Sequence, residues 1–284
     1  MTKKSYNISD KLDTVRKEVL ILINQAAEAS NCKFLVIGAT ARDIILKHCY
    51  NVKEDLRATI DLDVAIAVQN WESFNKIKNT LLEDDKFTKD MLEYRIYYEE
   101  SVPVDLIPFG GIANKEGNIF FQSENTKMTI LGFEEALKNA KNIIIADDQT
   151  KILVAHLENL FVMKLISWDE KYPERRKDAT DMFLILKYYL EGDNEDKLYN
   201  EYSDILDEDN FDYELASARV LGRDIARTVM KETLNWIVRI LKREISPDDE
   251  FRLIGDLTAM ISAENPSDIA LSYLESVYKG IIES

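Results

Sequence analysis

The sequence predicts an α/β protein in which a sheet-bearing N-terminal part is followed by an all-helical C-terminal part, and three observations carry that prediction. Short apolar, β-branched runs alternate with amphipathic helical segments over the first half of the chain. From about Gln149 the pattern turns helical and stays so. The chain of 284 residues with 46% hydrophobic content is long enough to bury a core in either part.

The elements follow in order. Leu12, Val15, Val19, Leu20, Ile23 and Ala26 recur at helical spacing, so an amphipathic helix spans about Asp10 to Ala29. "KFLVIG" reads as a strand ended by glycine, and "TARDIILKHC" as a helix with Thr40 as its N-cap. "IDLDVAIAV" is a strand, "NWESFNKIKNTLLEDD" a helix, and "EYRIYYEESVPVDLIPF" two strands joined by a short connection; "GNIFFQ" and "KNIIIAD" add edge strands. A long helix from about Thr150 to Trp168 opens the second part, followed by "DATDMFLILKYYL" and "LNWIVRILKREI". The acidic stretch "EGDNEDKLYNEYSDILDEDNFD" reads as a solvated surface, and the domain boundary falls between residues 149 and 150.

Composition narrows the function classes. With 36 basic and 52 acidic residues the net charge is -16, so the mean field repels phosphate backbones and any nucleic-acid contact needs a local basic patch. "KYPERRKD" is one such cluster, to which Arg42, Arg57, Arg175, Arg176 and Lys177 could contribute; its plainer reading is a solvated interhelical loop. Cys32 and Cys49 are too few for a disulfide framework, and no signal peptide or membrane-spanning run stands out, which leads to the expectation of a cytoplasmic protein without a membrane partner. His48 and His156 have no Ser or Cys partner at a recognisable spacing, which argues against triad hydrolysis.

The residues that carry chemistry are acidic. Asp61 and Asp63 alternate on one strand and so share a face, while Leu62 and Val64 face the other way. Two carboxylates about 4 Å apart repel by roughly 4 kcal/mol at an effective dielectric near 20, a cost that a shared proton or a cation must offset. A solvated strand end is the plainer reading of the pair alone. Asp105, inside the apolar "VPVDLIPF", is a third acid that needs a partner. On a strand beside the first it would complete a three-carboxylate cluster for Mg²⁺ or Mn²⁺, as ligand or as proton acceptor; otherwise it pairs with Arg95 across the hairpin. The turn "IGATARD" offers Gly38 and Thr40 at a helix N-terminus for polyphosphate, although neither a P-loop nor a dinucleotide fingerprint is present. Lys164 falls on the apolar stripe of its helix, one turn after Leu160, so it must snorkel or meet an anion. Asp178 and Asp181, three apart, share one face of the next helix; an exposed helix start favoured by the dipole is their plainer reading.

"GAT", "TIDLD" and "PVDLIPFGG", in that order, resemble the polymerase-β-like nucleotidyltransferase superfamily, and "FVMKLISW" followed by "RRKDATDM" resembles its AbiEii/AbiGii toxin-like group, over about residues 34 to 186. The resemblance implies a nucleotidyltransferase domain with a short mixed sheet (1–149) and a helical domain (150–284) contributing Lys164 and Asp178 to the site. It implies transfer of a nucleoside monophosphate from an NTP, Asp61, Asp63 and Asp105 as metal ligands and catalytic residues with Lys164 and Asp178, and Gly38, Ala39, Thr40, Arg42, Lys164 and Asp181 around the nucleotide. Ala39 stands where many members carry a second glycine or a serine. In this group the acceptor would be RNA, such as tRNA, and an antitoxin protein the partner. Nucleotidylation of a small molecule or protein, and a catalytically silent nucleotide-binding module, are the alternatives.

Overall fold

The computed structural model describes residues 5–53, 59–122, 125–146, 150–246 and 251–284. The chain is α/β, and it divides into two compact units, Met1–Cys49 with Lys53–His156, and Tyr50–Val52 with Leu157–Ser284. The break lies at His156/Leu157 and not at 149/150, because Thr150–Val154 continues the sheet as a strand and the helix starts only at Leu157.

In the first unit the elements run β1 (Tyr6–Asn7), α1 (Thr14–Ala29), β2 (Lys33–Val36), α2 (Gly38–Asp43), β3 (Leu62–Val68), α3 (Trp71–Leu82), β4 (Phe87–Lys89), β5 (Arg95–Tyr98), β6 (Val102–Gly110), β7 (Asn118–Phe121), β8 (Thr126–Thr129), α4 (Phe133–Asn139), β9 (Lys141–Ala146) and β10 (Thr150–Val154). Asp13 caps α1 by accepting from the Arg16 N–H at 2.9 Å, and Asn70 caps α3 by accepting from the Ser73 N–H, so both helices start where a short polar side chain can satisfy a free amide. Ile44–Cys49 continues α2 as a π-helix. The β5–β6 hairpin turns through two consecutive left-handed residues, Glu99 and Glu100, the backbone a tight hairpin demands.

Eight strands form one mixed sheet in the order β1-β9-β10-β2-β3-β6-β5-β4. β3 pairs antiparallel with β2 and parallel with β6, and Val64, Ala65 and Ile66 at its centre are fully buried. Two expectations about edge strands change. "KNIIIAD" forms β9, which is interior because β1 and β10 flank it, and "GNIFFQ" forms β7, which pairs with β8 in a separate two-stranded sheet. The sheet is mixed, as expected, and eight strands wide.

The second unit is helical: α5 (Leu157–Glu170), α6 (Asp178–Tyr188), α7 (Glu195–Asn200), α8 (Tyr213–Thr228), α9 (Lys231–Glu244), α10 (Arg252–Thr258) and α11 (Pro266–Ile282). α8 and α11 meet backbone to backbone. A Cβ on Gly222 would lie 2.2 Å from the Val277 carbonyl oxygen, and one on Gly280 would lie 2.1 Å from that of Arg219. The same seam is closed by Arg219 and Arg223, which both donate to Glu283. The acidic stretch is not only surface: Asn194, Leu198, Tyr202 and Ile205 within it are buried. Among the described residues no helix is long and apolar enough to cross a membrane.

Candidate active site

β2 ends at Val36, and the next residue, Ile37, donates its N–H to the Asp63 carbonyl at 3.0 Å. The chain then turns through Gly38 at φ +66°, a conformation that favours glycine. A Cβ on Gly38 would fall 2.1 Å from Asp63 Oδ2, so the backbone of this turn lies directly against the Asp63 carboxylate. The turn read as a phosphate cradle is thus built onto the acidic strand. Ala39 is half-buried beside it. Thr40 is not the helix cap: α2 begins at Gly38 with Ile37 extended before it, and the buried Thr40 hydroxyl donates instead to the Asp61 carbonyl at 3.3 Å. Arg42 is interior, 1% exposed, with Nε and Nη2 donating to Asp43 at 2.8 and 2.5 Å, which removes it from any surface basic patch.

Asp61 immediately precedes β3, and Asp63 is its second residue. Asp63 is the register partner of Asp105 in the parallel β3–β6 pair, and Asp105 is the register partner of Arg95 in the antiparallel β5–β6 pair. Register partners project to the same face, so Asp63, Asp105 and Arg95 form a row across three strands. Neighbouring strands are about 4.8 Å apart, at which two carboxylates repel by roughly 3 kcal/mol at an effective dielectric of 20. Arg95 offsets this charge. Its Nε and Nη2 donate to Oδ1 and Oδ2 of Asp105 at 2.6 and 2.8 Å, a two-pronged pair with both side chains mostly buried. Donating these hydrogen bonds to Asp105 holds the Arg95 guanidinium still more firmly in its charged form. Arg95, one of the two partners open to Asp105 in the sequence, thus lies within hydrogen-bond reach of it. Among the described residues no three acidic, histidine or cysteine side chains are grouped so that they could hold one metal ion.

The remaining predicted residues lie in the helical unit. Lys164 donates to Asp178 Oδ1 at 2.9 Å and pairs with Asp181 Oδ2 at 2.5 Å, so the anion it meets is carboxylate from both positions of the acidic pair. Asp178 and Asp181 are buried, contrary to an exposed helix start. Burial alone would push the Lys164 ammonium down, but the charges of Asp181 and Asp178 outweigh it and hold it above the usual lysine range. Arg175, read from the sequence only as part of a basic cluster, instead forks onto Asp178 through Nε at 2.7 Å and Nη2 at 3.2 Å. Its signal was the three-residue spacing from Asp178 in "RRKD". Arg176 is taken up by Asp256, which also accepts from the Trp168 indole. Lys177 is exposed, and Arg57 lies outside the described residues.

A divalent cation suits the donor chemistry of the first unit. Mg²⁺ typically takes one or two carboxylates together with substrate phosphates, and Asp63 provides a hard oxygen donor beside a turn where the missing Gly38 side chain leaves the backbone close to the carboxylate.

No family model and no curated protein sequence matches the chain. Among solved structures it is similar to the antibiotic-resistance factor ANT(2'')-Ia in solution, at 13% identity and a TM-score of 0.40, covering 69% of this chain and 97% of that one. It is also similar to ANT(2'')-Ia in complex with adenylyl-2''-tobramycin, at 13% identity and a TM-score of 0.38, covering 60% and 87%.

Proposed function

We propose that the protein is a metal-dependent nucleotidyltransferase of the polymerase-β-like kind, moving a nucleoside monophosphate from an NTP to an acceptor. The observation that carries this reading is the placement of Asp63 and Asp105 at one register on adjacent parallel strands, with the Gly38 turn packed against Asp63. In the proposed reaction an acceptor nucleophile attacks the α-phosphorus in line, the bond to the bridging oxygen breaks, and pyrophosphate leaves. Asp61 and Asp63 would hold Mg²⁺ or Mn²⁺, with Asp105 as the further ligand or as the base that takes the acceptor's proton. Such an ion, when bound, neutralises triphosphate charge and stabilises the leaving oxygen. Gly38 and Ala39 expose backbone to the phosphates. In the helical unit, Lys164 presents an ammonium kept charged and rigidly mounted by Asp178 and Asp181, and its proposed task is to meet a nucleotide phosphate.

For the acceptor, the toxin-like resemblance supports an RNA end, tRNA among the candidates, with an antitoxin protein as partner. A small-molecule or protein acceptor is the second reading, favoured by the net charge of -16 and by Arg175 and Arg176 being engaged by Asp178 and Asp256 rather than forming an open basic patch. Incubation with Mg²⁺, each α-labelled NTP and total RNA separates these: label enters RNA in the first case, protein or a metabolite in the second. Binding without transfer would mark a silent nucleotide-binding module. Asp63→Asn is expected to lower transfer by about 100-fold or more while the thermal melt stays unchanged; wild-type activity in this variant would refute the assignment.

A further inference from the structure

We infer that Arg95 is an internal counter-ion that competes with a divalent cation for Asp105, and so sets how tightly the acidic strand pair takes metal. The inference rests on the proposed assignment of Asp61, Asp63 and Asp105 to such an ion. Its basis is the row Asp63, Asp105, Arg95 on one face of three neighbouring strands. Both carboxylate oxygens of Asp105 are engaged by the fork, at 2.6 and 2.8 Å, and the side chains of Arg95 and Asp105 are only 23% and 13% exposed, so water screens the pair weakly.

With Arg95 in place the row carries one net negative charge; with a neutral side chain there it would carry two. A cation approaching Asp63 therefore either shares Asp105 with the guanidinium, at the cost of repulsion between two positive groups, or displaces it and breaks two charge-assisted hydrogen bonds. Either route weakens metal binding relative to a site lacking Arg95. The hairpin that holds Arg95 opposite Asp105 thus acts as a built-in restraint on metal loading, and the residue is a positioning residue for Asp105.

The test is Mn²⁺ binding to the full chain at neutral pH, read from the electron paramagnetic resonance signal of free Mn²⁺, for wild type, Arg95→Met, Arg95→Lys and Asp63→Asn. Arg95→Met is expected to bind Mn²⁺ about tenfold more tightly than wild type, because one repelling charge is gone. Arg95→Lys keeps the charge without the fork and is expected to fall between the two. Damage to the fold would weaken binding, so the sign of the change separates competition from a purely structural role. If Asp63→Asn weakens binding but Arg95→Met binds no better than wild type, the inference fails and the site assignment stands. If neither wild type nor Arg95→Met binds Mn²⁺, or Asp63→Asn leaves binding unchanged, both fail. Should Arg95→Met not fold by thermal melt, Arg95→Gln supplies the same comparison.

Discussion

Replacing Gly38 by alanine tests the junction on which the site is built. The added methyl would sit 2.1 Å from Asp63 Oδ2, 2.9 Å from Cγ and 3.0 Å from Cβ, and ordinary contact begins at 3.4 Å, so the carboxylate oxygen must retreat by about 1.3 Å. The backbone at φ +66° adds about 1–2 kcal/mol of strain for any residue with a Cβ. A displacement of about 1 Å at a reacting centre can cost on the order of 100-fold in rate. Gly38→Ala is therefore expected to lose about 1–2 kcal/mol of stability in urea titrations and to lose Mn²⁺ affinity and nucleotidyl transfer far out of proportion to that loss. Gly255→Ala is the matched control. Gly255 is exposed in α10, nothing lies within 4 Å of an added Cβ, and alanine there should stabilise the helix by about 0.5–1 kcal/mol without touching metal binding. Wild-type stability together with wild-type Mn²⁺ affinity in Gly38→Ala would show that the turn does not press on Asp63, and would refute the reasoning.

Two further predictions concern the helical unit. Lys164→Met leaves Asp181 without its ammonium and Asp178, with a side chain 1% exposed, held by Arg175 alone; breaking such a buried pair should cost about 3 kcal/mol, measurable by urea denaturation followed through tryptophan fluorescence, and a loss under about 1 kcal/mol would contradict it. At the α8–α11 seam, burial pushes the Glu283 carboxyl up, but Arg219 and Arg223 outweigh it and hold it below its ordinary value of 4.5, and the Arg223 fork does the same for Asp204. Because these groups are depressed in the folded state, their stabilisation is complete above the ordinary carboxylate values and is lost as pH falls through the folded ones. The melting temperature should drop below about pH 4.5, and Glu283→Gln should show a smaller acid-induced drop than wild type.

What could be read from the sequence was local chemistry with a period. α1, α3 and α6 announce themselves by apolar spacing, and β2, β3 and β6 by short apolar runs. The segment Thr150–Val154 did not, because "TKILV" followed by "AHLENLF" fits either period at its start, and strand is chosen by pairing with Val36 and with β9, which are far away in sequence. For the same reason "KNIIIAD" looked like an edge strand: being interior depends on neighbours, not on its own residues. In the site, the acids were visible as charges inside apolar runs. The engagement of Asp105 by Arg95 was visible only as one of two partners, since choosing between them takes the register of β5 on β6. Arg175 was legible only as part of a basic cluster; its partnership with Asp178, three residues on, gains weight only once Asp178 is found buried.

The assignment of Tyr50–Val52 to the helical unit has a practical corollary. The Tyr50 ring is packed so close to the turn at Gly192 that a Cβ there would come within 2.2 Å of it. A fragment beginning at Leu157 would lack this ring and carry an open slot over Gly192, so severing the chain once between its halves cannot yield an intact helical piece. Dissection would need residues 50–52 supplied separately, or a redesigned bulky side chain to plug the gap they leave.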